Sequence, residues 1–199
     1  MKQVLIETQL FKPSKGLLSE GKMSERGNPL VEGILATCEV ENGNGRYYSE
    51  DLWRREIDKY MDLVKDNRAT GELDHPESQV INLKNVSHNI KDINWDGKNI
   101  MGTIEILPTP SGNILKALID SGITVGVSSR GMGSLEQKGD LMEVQDDLEL
   151  LCWDFVSTPS NPGSFMALKE GKENTINQYA KANSIVTEIL CANGNCPIF

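Results

Sequence analysis

The sequence predicts a mixed α+β domain, and three observations predict it. Short runs with strand-like apolar character recur along the chain and are bounded by Gly, Asn, Asp and Pro. Asp96-Gly97 joins two of these runs with a dipeptide favoured in tight hairpins. Two further stretches, after Ser49 and after Pro108, repeat their apolar residues at helical spacing.

The 199 residues suit one domain, with or without a tail, and can bury a core without cross-links. There are 29 acidic and 20 basic side chains, and the resulting charge of −9 argues against a general nucleic-acid or anionic-membrane binder, which needs a basic footprint. Cys38 and Cys152 lie in apolar runs and read as buried thiols, whereas Cys191 and Cys196 are close enough in sequence to bridge. The apolar run after Met1-Lys2-Gln3 is too short for a signal peptide, and none is long enough to span a membrane, so the expected setting is a reducing cytoplasm. Two histidines without His-Glu-x-x-His spacing, and no Walker-type loop, point to no metal and no nucleotide: the expected cofactor is none.

In order, a strand is expected near Val4-Leu5-Ile6, followed by a loose segment through Gly27. Val31 to Val40 reads as a strand and Glu41 to Gly45 as a turn, where Asn and Gly supply positive φ. Ser49 is placed to cap a helix whose stripe is Trp53, Ile57, Tyr60, Met61 and Val64, with Glu50 and Asp51 at the positive end of the dipole. Val86 to Trp95 and Ile100 to Leu107 form the hairpin. Ser111 is expected to cap a second helix carrying Ile114, Leu115, Leu118 and Ile119, with Gly122 past its end. Ile123 to Val125 leads into the serines, Leu135 to Gly139 reads as a turn, and Leu141 to Val144 and Leu148 to Val156 as strands.

Three stretches carry chemistry. In Gly126-Val127-Ser128-Ser129-Arg130-Gly131-Met132-Gly133-Ser134, hydroxyls stand beside a cation and glycines that leave backbone N–H groups unshielded. That combination offers a nucleophile and donors for an oxyanion. In Gly71-Glu72-Leu73-Asp74-His75-Pro76, the proline keeps His75 out of helical angles and projects its ring from a defined backbone. His88, in an alternating strand, lacks such a context. Asp154 is a carboxylate within Leu150-Leu151-Cys152-Trp153-Asp154-Phe155-Val156, costly to bury unless paired. It is the candidate that orients His75, as a buried acid fixes an imidazole tautomer, with Glu72 as the competitor. No Gly-x-Ser-x-Gly elbow is present, which argues against an esterase of that type.

Taken with Pro159-Ser160-Asn161-Pro162, these motifs occur in the order in which the chain resembles the prohead core serine proteases of T-even tailed phages, over about Val31 to Phe165. That family is similar in fold to the herpesvirus assemblins. The resemblance implies a mostly antiparallel, β-barrel-like core flanked by helices. It also implies His75 as general base, Ser128 or Ser129 as nucleophile, Asp154 as third member, and Arg130 and Gly131 as oxyanion or substrate donors. The two serines fall on opposite faces of a strand, so one of them is the nucleophile.

The implied function is a serine endopeptidase that processes phage scaffold, core and capsid proteins inside the prohead, in the host cytoplasm. Cleavage is expected after Glu, with an aliphatic residue two positions before it. Leu18-Ser19-Glu20 and Leu168-Lys169-Glu170 fit that pattern and lie at domain edges, where nicking concentrates, so Glu20 and Glu170 are expected autocleavage sites. The division follows: 1–29 a removable N-terminal segment, 30–170 the protease, and 171–199 a tail that is removed, docks on the core or makes a dimer contact. The other function class is a non-catalytic virion structural or assembly protein of related fold, which would need neither His75 nor the serine pair.

Overall fold

In the computed structural model, which describes residues 2–10, 23–74, 76 and 78–157, helix α1 (Glu50–Lys65) starts where the sequence predicts. The Ser49 hydroxyl accepts the Leu52 N–H, and Glu50 and Asp51 occupy the first turn. Its buried face carries Leu52, Trp53, Ile57, Tyr60 and Val64 and also Glu56. Glu56 is tolerated there because Lys59 and Arg55 pair with it and it accepts the Leu150 N–H.

The strands are β1 (Gln3–Leu10), β2 (Leu30–Thr37), β3 (Arg46–Tyr47), β4 (Thr70–Glu72), β5 (Val86–Asp96), β6 (Asn99–Ile106), β7 (Gly126–Gly133), β8 (Leu135–Lys138), β9 (Leu141–Val144) and β10 (Glu149–Val156). The second helix, α2 (Pro110–Asp120), lies between β6 and β7. Among the described residues they form three sheets, ordered β1-β7-β10, β2-β6-β5-β4 and β3-β9-β8. All pairings are antiparallel except β3 with β9.

The mixed, mostly antiparallel class holds, but among the described residues the sheets do not close into a barrel. Beyond β4 the chain makes one parallel bridge to β10, Leu73 to Phe155, and then Asp74 takes φ 63°. Left-handed backbone cannot continue a strand, so the ladder that would join the sheets stops there.

Other differences have local causes. Strand β1 is longer than its apolar centre predicts and pairs along the whole of β7. Thr109, not Ser111, caps α2, accepting the Gly112 N–H while donating to the Val86 carbonyl. Proline then occupies the first helical position, where its missing N–H costs nothing. Ile114 faces outward, leaving Leu115 and Ile119 as the buried pair. Residues 135–138, expected as a turn, form β8, and the turn is moved to Gly139 at φ 66°. The Asp96-Gly97 hairpin forms as expected, with Gly97 at φ 60°.

Between α1 and β10 the core is aromatic. Trp53 stacks on Tyr48 at 5.3 Å and on Trp153 at 6.0 Å, while Tyr60 meets Trp153 edge-on at 4.9 Å. Such pairs add about 1 kcal/mol each to the burial of their surfaces, and they fix which face of β10 points inward.

Candidate active site

Strand β7 carries both serines at its centre. It is the middle strand of its sheet, between β1 and β10. Register then decides what each serine faces, because directly opposed residues share a face. Ser128 stands opposite Asp154 and Ser129 opposite Trp153. Ser129 thus belongs to the aromatic face that packs toward α1. Ser128 shares the other face with Asp154, Arg130 and Cys152.

That second face is dry and charged: Glu72, Ser128, Arg130 and Asp154 are all at most 1% exposed. The Arg130 guanidinium is its hub. Its Nη2 reaches Glu72 Oε1 at 3.1 Å and Asp154 Oδ1 at 3.2 Å, its Nε lies 3.0 Å from Asp154 Oδ2, and its Nη1 donates to the Ser78 carbonyl at 2.7 Å. Arg130 also donates to the Cys152 sulfur. Burial, reinforced by the neighbouring Asp154 charge, pushes the Cys152 thiol far up, so it stands there as a neutral thiol. The Ser128 hydroxyl is buried and finds no hydrogen-bond partner among the described residues.

The β4 end of the histidine motif is fastened to this face. Glu72 donates its N–H to Asp154 Oδ1 at 2.9 Å, and Asp74 donates its N–H to the Phe155 carbonyl at 2.7 Å. On the far side, the Ser78 carbonyl is held by Arg130. His75 itself lies outside the described residues, as do Glu20, Glu170 and the chain beyond residue 157. Gly71 sits where a Cβ would fall on the Trp153 carbonyl oxygen and the His88 ring, so only glycine lets β4 lie against β10 there.

His88 supports the crossing from beneath. Fully buried, its Nε2 lies 3.1 Å from the Trp153 carbonyl and its Nδ1 2.9 Å from Ser87 Oγ. A carbonyl only accepts, so Nε2 carries the proton and Nδ1 accepts from the Ser87 hydroxyl. Burial lowers its pKa from 6.5 to about 4, only partly opposed by the Trp153 carbonyl, and keeps the ring neutral.

Gly131 and Arg130 are opposed by Leu150 and Cys152, and the pairing slips by one residue between those two. Such an interruption loosens a ladder locally and is common beside active sites. Among the described residues no cluster of His, Cys, Asp and Glu is arranged to hold a metal, and no helix is long and apolar enough to cross a membrane.

Two residues of this site carry no functional signal in the sequence. Ser78 contributes only a backbone carbonyl, which no motif encodes. Cys152 has the sequence context of a buried thiol and no more, and its place beside Arg130 and Asp154 follows from β10 pairing with β7.

Comparison with known proteins finds relatives of the whole fold. The family model described as "Prohead core protein serine protease" matches residues 7–176. The prohead core protein protease of Enterobacteria phage T4 is 31% identical over 149 residues, covering 72% of this chain and 70% of that protein. The solved structure of the bacteriophage T4 capsid assembly protease superposes with a TM-score of 0.71 at 27% identity, over 79% of this chain and 99% of that one.

Proposed function

Because this chain belongs to the prohead core protein serine protease family, and is thus a peptidase of phage capsid maturation, we propose that Ser128 and His75 give it serine endopeptidase activity. Its substrates are phage core, scaffold and capsid proteins, cut inside the prohead in the host cytoplasm, after Glu in Leu/Ile-x-Glu. The observation that carries the assignment is the Ser128 hydroxyl: buried, without a partner among the described residues, and opposite Asp154 on the face to which Glu72 and Asp74 are fastened. An unpaired buried hydroxyl is costly in a structural strand and useful in a nucleophile. Ser129, paired in register with Trp153, has the packing face instead.

In this reading His75 accepts the Ser128 proton as Oγ attacks the scissile carbonyl, then returns it to the leaving amine before water resolves the acyl-enzyme. Asp154, with its charge held in place by Arg130, orients the imidazole. Backbone amides of Arg130 and Gly131 are the oxyanion donors, and the slip in pairing opposite them supports this role. In fold, this reading places the chain with the herpesvirus assemblins. Self-processing at Glu20 and Glu170 belongs to it too, with 30–170 as the protease and β1 held to it by its pairing with β7.

Intact mass spectrometry of wild type, His75→Ala, Ser128→Ala and Ser129→Ala after incubation tests it. Wild type and Ser129→Ala are expected to shorten at Glu20 or Glu170 and to cut a Leu-x-Glu peptide, while the other two stay whole. Shortening of Ser128→Ala with an intact Ser129→Ala would transfer the nucleophile to Ser129. Four whole proteins and an uncut peptide would return the chain to a structural role.

A further inference from the structure

Glu72 ends β4 with a fully buried side chain, and both its oxygens are in use. Oε1 accepts the Asn82 N–H at 2.9 Å and pairs with Arg130 at 3.1 Å, while Oε2 accepts Asn85 Nδ2 at 3.3 Å. Its own N–H goes to Asp154. Arg130 in turn holds the Ser78 carbonyl. The described chain on both sides of residues 73–77 is therefore tied to one knot: at 72 by main chain and side chain, at 78 by main chain, and at 82 and 85 through the same carboxylate.

A buried ion cluster adds little net stability compared with well-packed apolar residues. What it does provide is direction, since each bond has a fixed geometry and apolar contacts have none. Active-site side chains must be held to within about 0.5 Å to react well. The knot's position, between the serine strand and the histidine motif, is where such precision is needed.

We propose that Glu72 is a positioning residue of the protease. Through Arg130, Asn82 and Asn85 it sets how the chain enters and leaves the 73–77 stretch relative to the Ser128–Asp154 face. It acts through the catalytic pair without touching substrate. The proposal rests on His75 being the general base.

The test compares wild type, Glu72→Ala, Glu72→Gln, Asn85→Ala and His75→Ala as full chains. The readouts are kcat and KM on a Leu-x-Glu peptide and the rate of labelling by a fluorophosphonate, which reports serine reactivity without substrate recognition. Thermal melts set an assay temperature at which every variant is folded.

Glu72→Ala is expected to lower kcat and labelling at least tenfold with KM within twofold. Glu72→Gln, which keeps the oxygen facing Asn82, is expected to recover much of that loss. Asn85→Ala is expected to lose two- to fivefold, and it carries the test alone if Glu72→Ala does not fold. Glu72→Ala and Asn85→Ala at wild-type rates, or a loss confined to KM, overturns the proposal. A fully active His75→Ala instead removes the assignment of the general base, whatever Glu72 does. A wild type that neither cleaves nor labels removes both.

Discussion

At the scale of single residues, Ser128 bears on rate and His88 on stability. The Ser128 hydroxyl is buried without a partner among the described residues, and in the proposed couple its partner is His75. Ser128→Ala is expected to lower kcat on a Leu-x-Glu peptide about a thousandfold or more. His88 has both ring nitrogens satisfied but cannot take up a proton cheaply. Above its ordinary pKa of 6.5 it is neutral folded and unfolded; between 6.5 and about 4 only the unfolded chain binds the proton. Stability is thus full above 6.5, falls as pH drops through that window by about 3 kcal/mol, and levels off below it. Denaturation midpoints measured from pH 7 to pH 4 check this, and His88→Gln, which keeps a donor for the Trp153 carbonyl, is expected to flatten the fall. Much of the site was legible at this scale. A carboxylate amid Leu150 to Val156 announces that something must pair with it. The identity of the partner, Arg130, was not legible, because the pairing depends on how β10 meets β7 in three dimensions.

Among the elements, α1 and the β5–β6 hairpin were the easiest to read, since cap, stripe and turn dipeptide are all local signals. Strand β7 was the hardest. Its three glycines resemble a loop, yet Gly131 and Gly133 are in strand because neighbours press on them: a Cβ at Gly131 would come within 3.0 Å of the Glu149 carbonyl, and one at Gly133 within 3.1 Å of Leu5. Tertiary packing overrides propensity there. The same crowding makes Gly71 the sharpest test of β4. Gly71→Ala would set a methyl on the Trp153 carbonyl and His88 and push β4 off β10. A loss of about 2 kcal/mol or more is expected in chemical denaturation, together with slower serine labelling. Wild-type values for both would show that β4 does not need this close approach.

Across the whole molecule, the serine strand is held from both sides by strands far apart in sequence, β1 near the start and β10 near residue 150. Strand β1 is fastened by more than its ladder. Leu5 is buried in the core, and Glu7 accepts from Asn42, Asn44, Arg46 and Tyr48 around β3. Leu5→Ala is expected to cost about 3 kcal/mol, read as a lowered denaturation midpoint. A chain cut after Glu20 is then not a shorter protein but a complex of two pieces. Before the cut, β1 meets its slot at the millimolar effective concentration of a tethered segment; afterwards it does so only at its own concentration. The uncut chain can open and refold many times, whereas the cut one, once opened and diluted, loses its first strand for good. Processing at that position would turn a reversible fold into one that is assembled once.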